Sequence, residues 1–123
     1  MKDAPVIYVV EDSPELLELA GLALAKGPWK VKQFGDPKRA LRSFKADQPK
    51  PALVLTDYSM GDMTGLELAA CCKEMHPATK VILMSGTASG EILKDATCQL
   101  EGFLPKPFRP GALAGLVKSV LEE

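Results

Sequence analysis

The chain reads as an α/β domain, a doubly wound five-stranded parallel sheet with helices on both faces. Three observations predict it. Val6–Val10 (VIYVV), Ala52–Leu55 (ALVL) and Lys80–Met84 (KVILM) are short and almost wholly apolar, as strands sandwiched between helical layers must be. These runs alternate with segments of helical period, the pattern of repeated βα units. Polar groups gather at the carboxyl ends of the strands, where open α/β sheets place their ligands.

Taken in order, VIYVV is a central strand, closed by Glu11-Asp12. Ser13-Pro14-Glu15 then opens a helix: Ser13 can cap it, Pro14 suits its first turn, and Glu15 favours the positive end of the dipole. Leu16, Leu19, Ala20 and Ala23 mark its inner face, and Gly27-Pro28 stops it. Trp29–Phe34 (WKVKQF) alternates apolar and polar, which predicts an edge strand with one wet face. Asp36-Pro37 caps a second helix that turns Ala40, Leu41 and Phe44 inward, and Pro49 and Pro51 end that connection. The ALVL strand delivers Asp57, a loop carries Gly61 and Asp62, and a helix over about Leu66–Met75 follows with Gly65, Leu68, Ala69, Cys72 and Met75 in register. KVILM ends in Ser85-Gly86-Thr87. Glu91–Gln99 is expected to be helical, though its apolar positions are few, and Gly102–Pro105 (GFLP) is a short fifth strand. Leu113, Leu116, Val117, Val120 and Leu121 fall at i, i+3, i+4, i+7 and i+8 of a final helix. Right-handed crossovers and short connections leave few topologies open.

With 123 residues, 46% hydrophobic and 25% charged, the chain is expected to form one globular domain over 1–123. A formal net charge of −1 gives no electrostatic reason for direct nucleic-acid binding. No apolar run approaches the ~20 residues of a membrane span. Met1–Pro5 leads straight into a strand without a signal peptide, so a cytoplasmic location is expected. Cys71, Cys72 and Cys98 are odd in number, lack metal-site spacing and are expected to be free thiols in a reducing compartment.

Glu11, Asp12, Asp57, Ser85 and Lys106 stand at strand ends and should converge on one rim. Individually each has a bland reading: acids at a helix start, a carboxylate in a loop, a turn serine, a solvated lysine between prolines. Jointly, chance must place all of them at strand ends. Three adjacent carboxylates require a counter-charge, and a hard oxygen-loving cation, Mg2+ above all, suits them. Lys106 can hold a phosphoryl oxygen and Ser85 can donate to another. An ionised Asp57 can then act as a nucleophile toward phosphorus, giving an aspartyl phosphate.

In these residues the chain resembles the receiver domain of two-component response regulators over essentially its whole length. The matching pieces are the acidic pair in VVEDSP, the acceptor in LVLTDYSMGDMTG, the hydroxyl in VILMSG and the lysine in GFLPKPF. The resemblance implies a flavodoxin-like strand order 2-1-3-4-5. It implies that Asp57 accepts a phosphoryl group from a histidine kinase or phosphotransfer protein. Asp12, Asp57 and the Ser59 backbone carbonyl would bind Mg2+, Glu11 would act through a metal-bound water, and Ser85 and Lys106 would touch the phosphoryl oxygens. Phe103 would be the switch aromatic, following Ser85 inward. The face formed by the fourth helix, fifth strand and fifth helix, roughly Ser89–Glu122, would meet a downstream effector protein or output domain. The Lys106–Pro107 peptide would be cis. Such a domain is a signalling acceptor that assists its own phosphorylation and dephosphorylation, not an enzyme turning over a substrate, and it touches neither nucleic acid nor membrane.

The chain departs from the family pattern at Gly61, where proline is usual, at Gly86, where alanine is usual, and at Phe103, where tyrosine is commoner. None of these removes a reacting group. A haloacid-dehalogenase-type phosphatase would need an aspartate where Ser59 stands and space for a cap domain. A flavodoxin-like electron carrier would need a Ser/Thr/Gly-rich phosphate loop where Glu11-Asp12 stands. The alternative in a different class is a phosphorylation-independent interaction module on the same fold, but such degenerate domains lack an acid or the lysine, and neither is missing here. The lone His76 reads as a surface residue.

Overall fold

The computed structural model describes residues 4–86 and 92–122. The elements are β1 (Val6–Val10), α1 (Pro14–Leu24), β2 (Lys30–Phe34), α2 (Pro37–Ala46), β3 (Leu53–Asp57), α3 (Gly65–Met75), β4 (Lys80–Ser85), β5 (Gly102–Pro105) and α4 (Pro110–Leu121). All five strands are parallel, in the order β2-β1-β3-β4-β5. The implied topology is thus the observed one.

The first three helices begin at side-chain caps, whereas α4 starts at Pro110 without one. The Ser13 hydroxyl accepts from the Leu16 amide at 3.5 Å, and Pro14 opens α1. The Asp36 carboxylate accepts from the Lys38 amide at 2.8 Å at the head of α2. Thr64 and Glu67 close a reciprocal capping box on α3, at 3.2 Å and 2.9 Å.

The sheet separates two apolar layers. Ile7, Val9, Leu53, Leu55, Ile82 and Met84 face α1 and α4, where Ala20, Leu24, Leu113, Val117 and Val120 close the layer. Tyr8, Val10, Val54 and Val81 face α2 and α3 and meet Ala40, Phe44, Leu68, Ala69 and Cys72. Alternate residues of each strand serve opposite layers, the reason these strands are apolar throughout. Fully burying each such side chain contributes roughly 1.5–3 kcal/mol.

Three expectations are corrected. The inner face of α1 is carried by the buried Ala20 and Leu24, with half-buried Leu17 and Ala23 packed against the same core, whereas the half-buried Leu16 and Leu19 are not part of it. The segment PELLELAGLAL is apolar nearly all round, so its period does not choose a face. Met75 ends α3 exposed rather than inward. Of the helix expected over Glu91–Gln99, Glu91 lies outside the described residues, and the turn it would begin ends early. Ile92 and Leu93 are helical, then the amides of Asp95 and Ala96 bond back only three residues, to Ile92 and Leu93. Asp95 and Thr97 are poor helix interiors, and Cys98 and Leu100 turn to pack on the core.

Cys71, Cys72 and Cys98 are free thiols. Burial pushes Cys72 up to about 12 and also raises Cys98, so both are held protonated. His76 caps α3 and its Nδ1 meets the Thr79 hydroxyl at 2.9 Å.

Tyr8 is the one large polar-tipped side chain at the centre of the sheet. Its ring lies against Phe34 and Phe44, and its hydroxyl donates to Asp47. Asp47 also accepts from Lys32 at 2.8 Å and Ser43 at 2.9 Å. The hydrogen bonds from Lys32 and Tyr8 lower the Asp47 carboxyl to about 2, from an ordinary 3.8. A carboxyl depressed on folding stabilises the fold above its unfolded value, and that contribution is lost as pH falls through the folded one. Asp47→Asn is therefore expected to cost about 1 kcal/mol near neutrality. Urea unfolding at descending pH should show the gap between variant and wild type closing from about pH 4 toward pH 2. A gap constant with pH would contradict the role of the charge.

Candidate functional site

Four strand ends meet at one rim because the register makes them neighbours. Val10 pairs with Thr56, so Glu11 and Asp57 leave adjacent strands together. Asp57 pairs with Met84, which puts Ser85 one position further on, and Ser85 pairs with Pro105, next to Lys106. The Lys106 amide donates to the Ser85 carbonyl at 2.8 Å, holding the lysine to the end of β4. The Lys106–Pro107 peptide is cis, as the resemblance implied, and so is Gln48–Pro49.

The Lys106 ammonium is shared. Its Nζ lies 2.7 Å from Glu11 Oε1 and 2.7 Å from Asp57 Oδ1. Glu11 is 1% exposed and Asp57 5%, so Lys106 joins two carboxylates withdrawn from water. Glu11 Oε2 also accepts from the Ser13 amide at 3.2 Å. Burial raises the Glu11 carboxyl above its usual range, against the opposing pull of Lys106 and the Ser13 amide. Burial alone would lower Lys106, but its hydrogen bonds to Asp57 and Glu11 outweigh it and hold the ammonium more firmly protonated than usual.

Asp12 is exposed beside this pair. One oxygen each from Glu11, Asp12 and Asp57 can be chosen so that all lie within 4.8 Å of one another. One ammonium against three carboxylates leaves excess negative charge. The donors are all oxygen, and the Asp12 side is open to solvent. That set fits a hard divalent cation that keeps part of its water shell.

The loop from Tyr58 to Gly65 forms the wall beside Asp57. It is closed at its neck by the Gly65 amide donating to the Tyr58 carbonyl at 2.8 Å, and the Tyr58 amide donates to Met84 at 2.9 Å. Gly61 has φ +59, a conformation closed to the proline that the family pattern favours there. Ser59 is exposed in this loop, two residues past Asp57. Ser85 is buried at the end of β4. Phe103 is half-buried on β5, packed against the small cluster of Leu66, Leu83 and Ile92.

Glu11, Asp12, Asp57 and Lys106 are thus gathered as the strand-end pattern predicts, with Ser85 on the adjoining strand. Sequence reasoning overlooked the buried Thr56 and gave Gly65 only a helical role. A hydroxyl inside the otherwise apolar run LVLT was the available signal.

Comparison with known proteins agrees with this geometry. The sequence profile of the response regulator receiver domain matches residues 7–118. The putative two-component response regulator ARR21 of Arabidopsis thaliana is 30% identical over 94% of this chain and 19% of its own length. The transcriptional regulatory protein GlrR of Escherichia coli K12 is 31% identical over 95% of this chain and 26% of its own. The chain thus spans a fifth to a quarter of these two, but 90% of the rice response regulator ORR5, which is 31% identical over 96% of the chain. Among solved structures, the BeF3-activated DrrB receiver domain superposes with a TM-score of 0.85 at 28% identity, covering 98% of this chain and 99% of that one. The family match over nearly the whole described fold, and the acidic rim answered by a single lysine, together identify the chain as a member of the response regulator receiver domain family.

Proposed function

We propose that this receiver domain is a working phosphoacceptor, with Asp57 taking a phosphoryl group from a histidine kinase or phosphotransfer protein. The observation that carries the reading is the Asp57 carboxylate held 2.7 Å from the Lys106 ammonium, with Glu11 and Asp12 alongside. Asp57 Oδ attacks phosphorus as the bond to the donor's leaving atom breaks, giving an acyl phosphate and the free donor. Lys106 pairs with a transferred oxygen, and the Ser85 hydroxyl donates to a second. Asp12, Asp57 and the Ser59 carbonyl would hold Mg2+, with Glu11 acting through water. Once bound, the metal would neutralise charge on the transferred group.

Ser85 and Phe103 would carry the signal. Ser85 moving toward the phosphoryl group frees space for the Phe103 ring, which already borders the core. Lacking a phenolic hydroxyl, Phe103 gains packing and no hydrogen bond on turning in. β5 and α4 would then present the altered face to an effector protein or output domain; residues 89–91 of that face lie outside the described structure. On this reading the domain works in the cytoplasm with its phosphodonor and assists its own phosphorylation and hydrolysis, without turning over a substrate. Among the described residues no helix is long and apolar enough to cross a membrane.

Intact mass after incubation with acetyl phosphate tests the reading. A phosphoryl adduct that requires Mg2+ and is lost in a chelator is expected. A folded protein that binds no Mg2+ and takes no adduct, from acetyl phosphate or a histidine-phosphorylated donor, would favour the phosphorylation-independent module.

A further inference from the structure

Thr56 is fully buried in a strand whose other interior residues are apolar, and none of the proposed chemistry uses its hydroxyl. Its side chain points to the α2–α3 layer, the opposite face from Leu55. The hydroxyl has one proton to give. It lies 2.9 Å from the Asp57 carbonyl oxygen and 3.8 Å from the Met60 sulfur, and the carbonyl is the stronger acceptor.

The same carbonyl is also closely approached by Gly65. A Cβ on that residue would overlap the Asp57 carbonyl oxygen and come within 2.8 Å of Leu83 Cδ1. Gly65 begins α3, and its amide closes the loop onto Tyr58. A glycine is needed here for close backbone approach, since its φ is not positive. The Asp57 carbonyl thus accepts from a side-chain hydroxyl and packs closely against the start of α3.

We propose that Thr56 and Gly65 are positioning residues for the acceptor, a clamp on its peptide that sets where the Asp57 carboxylate meets Lys106 and the acidic pair. The inference rests on Asp57 being the acceptor. The physical ground is that a carboxylate two bonds from its backbone inherits the backbone's mobility. A peptide bonded by a hydroxyl and packed against a helix start confines the oxygen to the spot where metal and phosphorus must find it.

The test compares Thr56→Val, isosteric but without the hydroxyl, with Thr56→Ser, which keeps it. Val54→Ala, two residues earlier in the same layer, is the control for lost packing. Mg2+ affinity is read by calorimetry, the phosphorylation rate by mass with acetyl phosphate, and the loop neck by hydrogen exchange at the Gly65 amide. Thr56→Val should lose about tenfold in Mg2+ affinity or phosphorylation rate and exchange faster at Gly65, with Thr56→Ser within about twofold of wild type, as outer-shell partners behave. Gly65→Ala should reproduce the loss independently. Val54→Ala should lower the urea midpoint and leave the other readings unchanged.

If Thr56→Val and Gly65→Ala shift only the urea midpoint, as Val54→Ala does, the clamp is overturned. A wild type that binds Mg2+ but accepts no phosphoryl group sinks the acceptor reading alone, because metal affinity and Gly65 exchange still decide the clamp. A wild type that binds no Mg2+ overturns both.

Discussion

Asp57→Asn is expected to abolish the phosphoryl adduct completely while leaving the fold in place. Asparagine has nearly the same shape as aspartate, so β3 keeps its register with Met84 and the loop its closure on Gly65. What disappears is the anionic oxygen that attacks phosphorus and the charge that Lys106 faces at 2.7 Å. Lys106 retains Glu11 as partner, also at 2.7 Å, so it is not left unpaired in a buried place. Stability in a chelator should therefore change by no more than about 1 kcal/mol. Intact mass and urea unfolding on one preparation check both halves. An adduct on the variant would mean that another group takes the phosphoryl, and a collapsed fold would mean that the carboxylate has a structural role the geometry does not show.

Lys106→Ala should produce the larger loss of stability, and one that a metal can repair. Its side chain is 18% exposed and is the cation joining Glu11 and Asp57, whose side chains are 1% and 7% exposed. Removing one member of a buried ion pair leaves an uncompensated charge, at a cost of about 3 kcal/mol. Here two carboxylates are left, with Asp12 close by. A divalent cation bound by the folded protein alone would restore part of the loss by mass action. The check is urea unfolding of wild type and variant in chelator and in saturating Mg2+. The gap should be wide in the first and narrower in the second. Equal gaps would show that the metal does not share the charge that Lys106 balances. The same variant should bind Mg2+ yet fail to shift resonances on β5 and α4 after phosphorylation.

The fold was largely legible because its signals were local. Wholly apolar strands, caps at Ser13 and Asp36, and the stripe of Leu113, Val117 and Val120 each report on a few neighbouring residues, and the structure uses all of them. Local signals failed where two answers were equally apolar. In α1 leucine and alanine surround the helix, and only packing against β1 and α4 selects Leu17 and Leu24 over Leu16 and Leu19. After β4, a marginal helical segment lost to the gain from packing Cys98 and Leu100 on the core.

By itself the sequence determined which groups meet. A parallel sheet sends all its carboxyl ends to one rim, so placing Glu11, Asp12, Asp57, Ser85 and Lys106 at strand ends was enough to predict their convergence. The tertiary structure alone decided how they divide the work. Glu11 is withdrawn from water while its neighbour Asp12 is open to it, one ammonium is shared between two carboxylates, and the Asp57 carbonyl accepts from Thr56 where Gly65 closely approaches it. Burial, charge sharing and close backbone contact are properties of distances between residues far apart in the chain. Glu11 and Lys106 stand 95 positions apart, and only the folded sheet brings them to 2.7 Å.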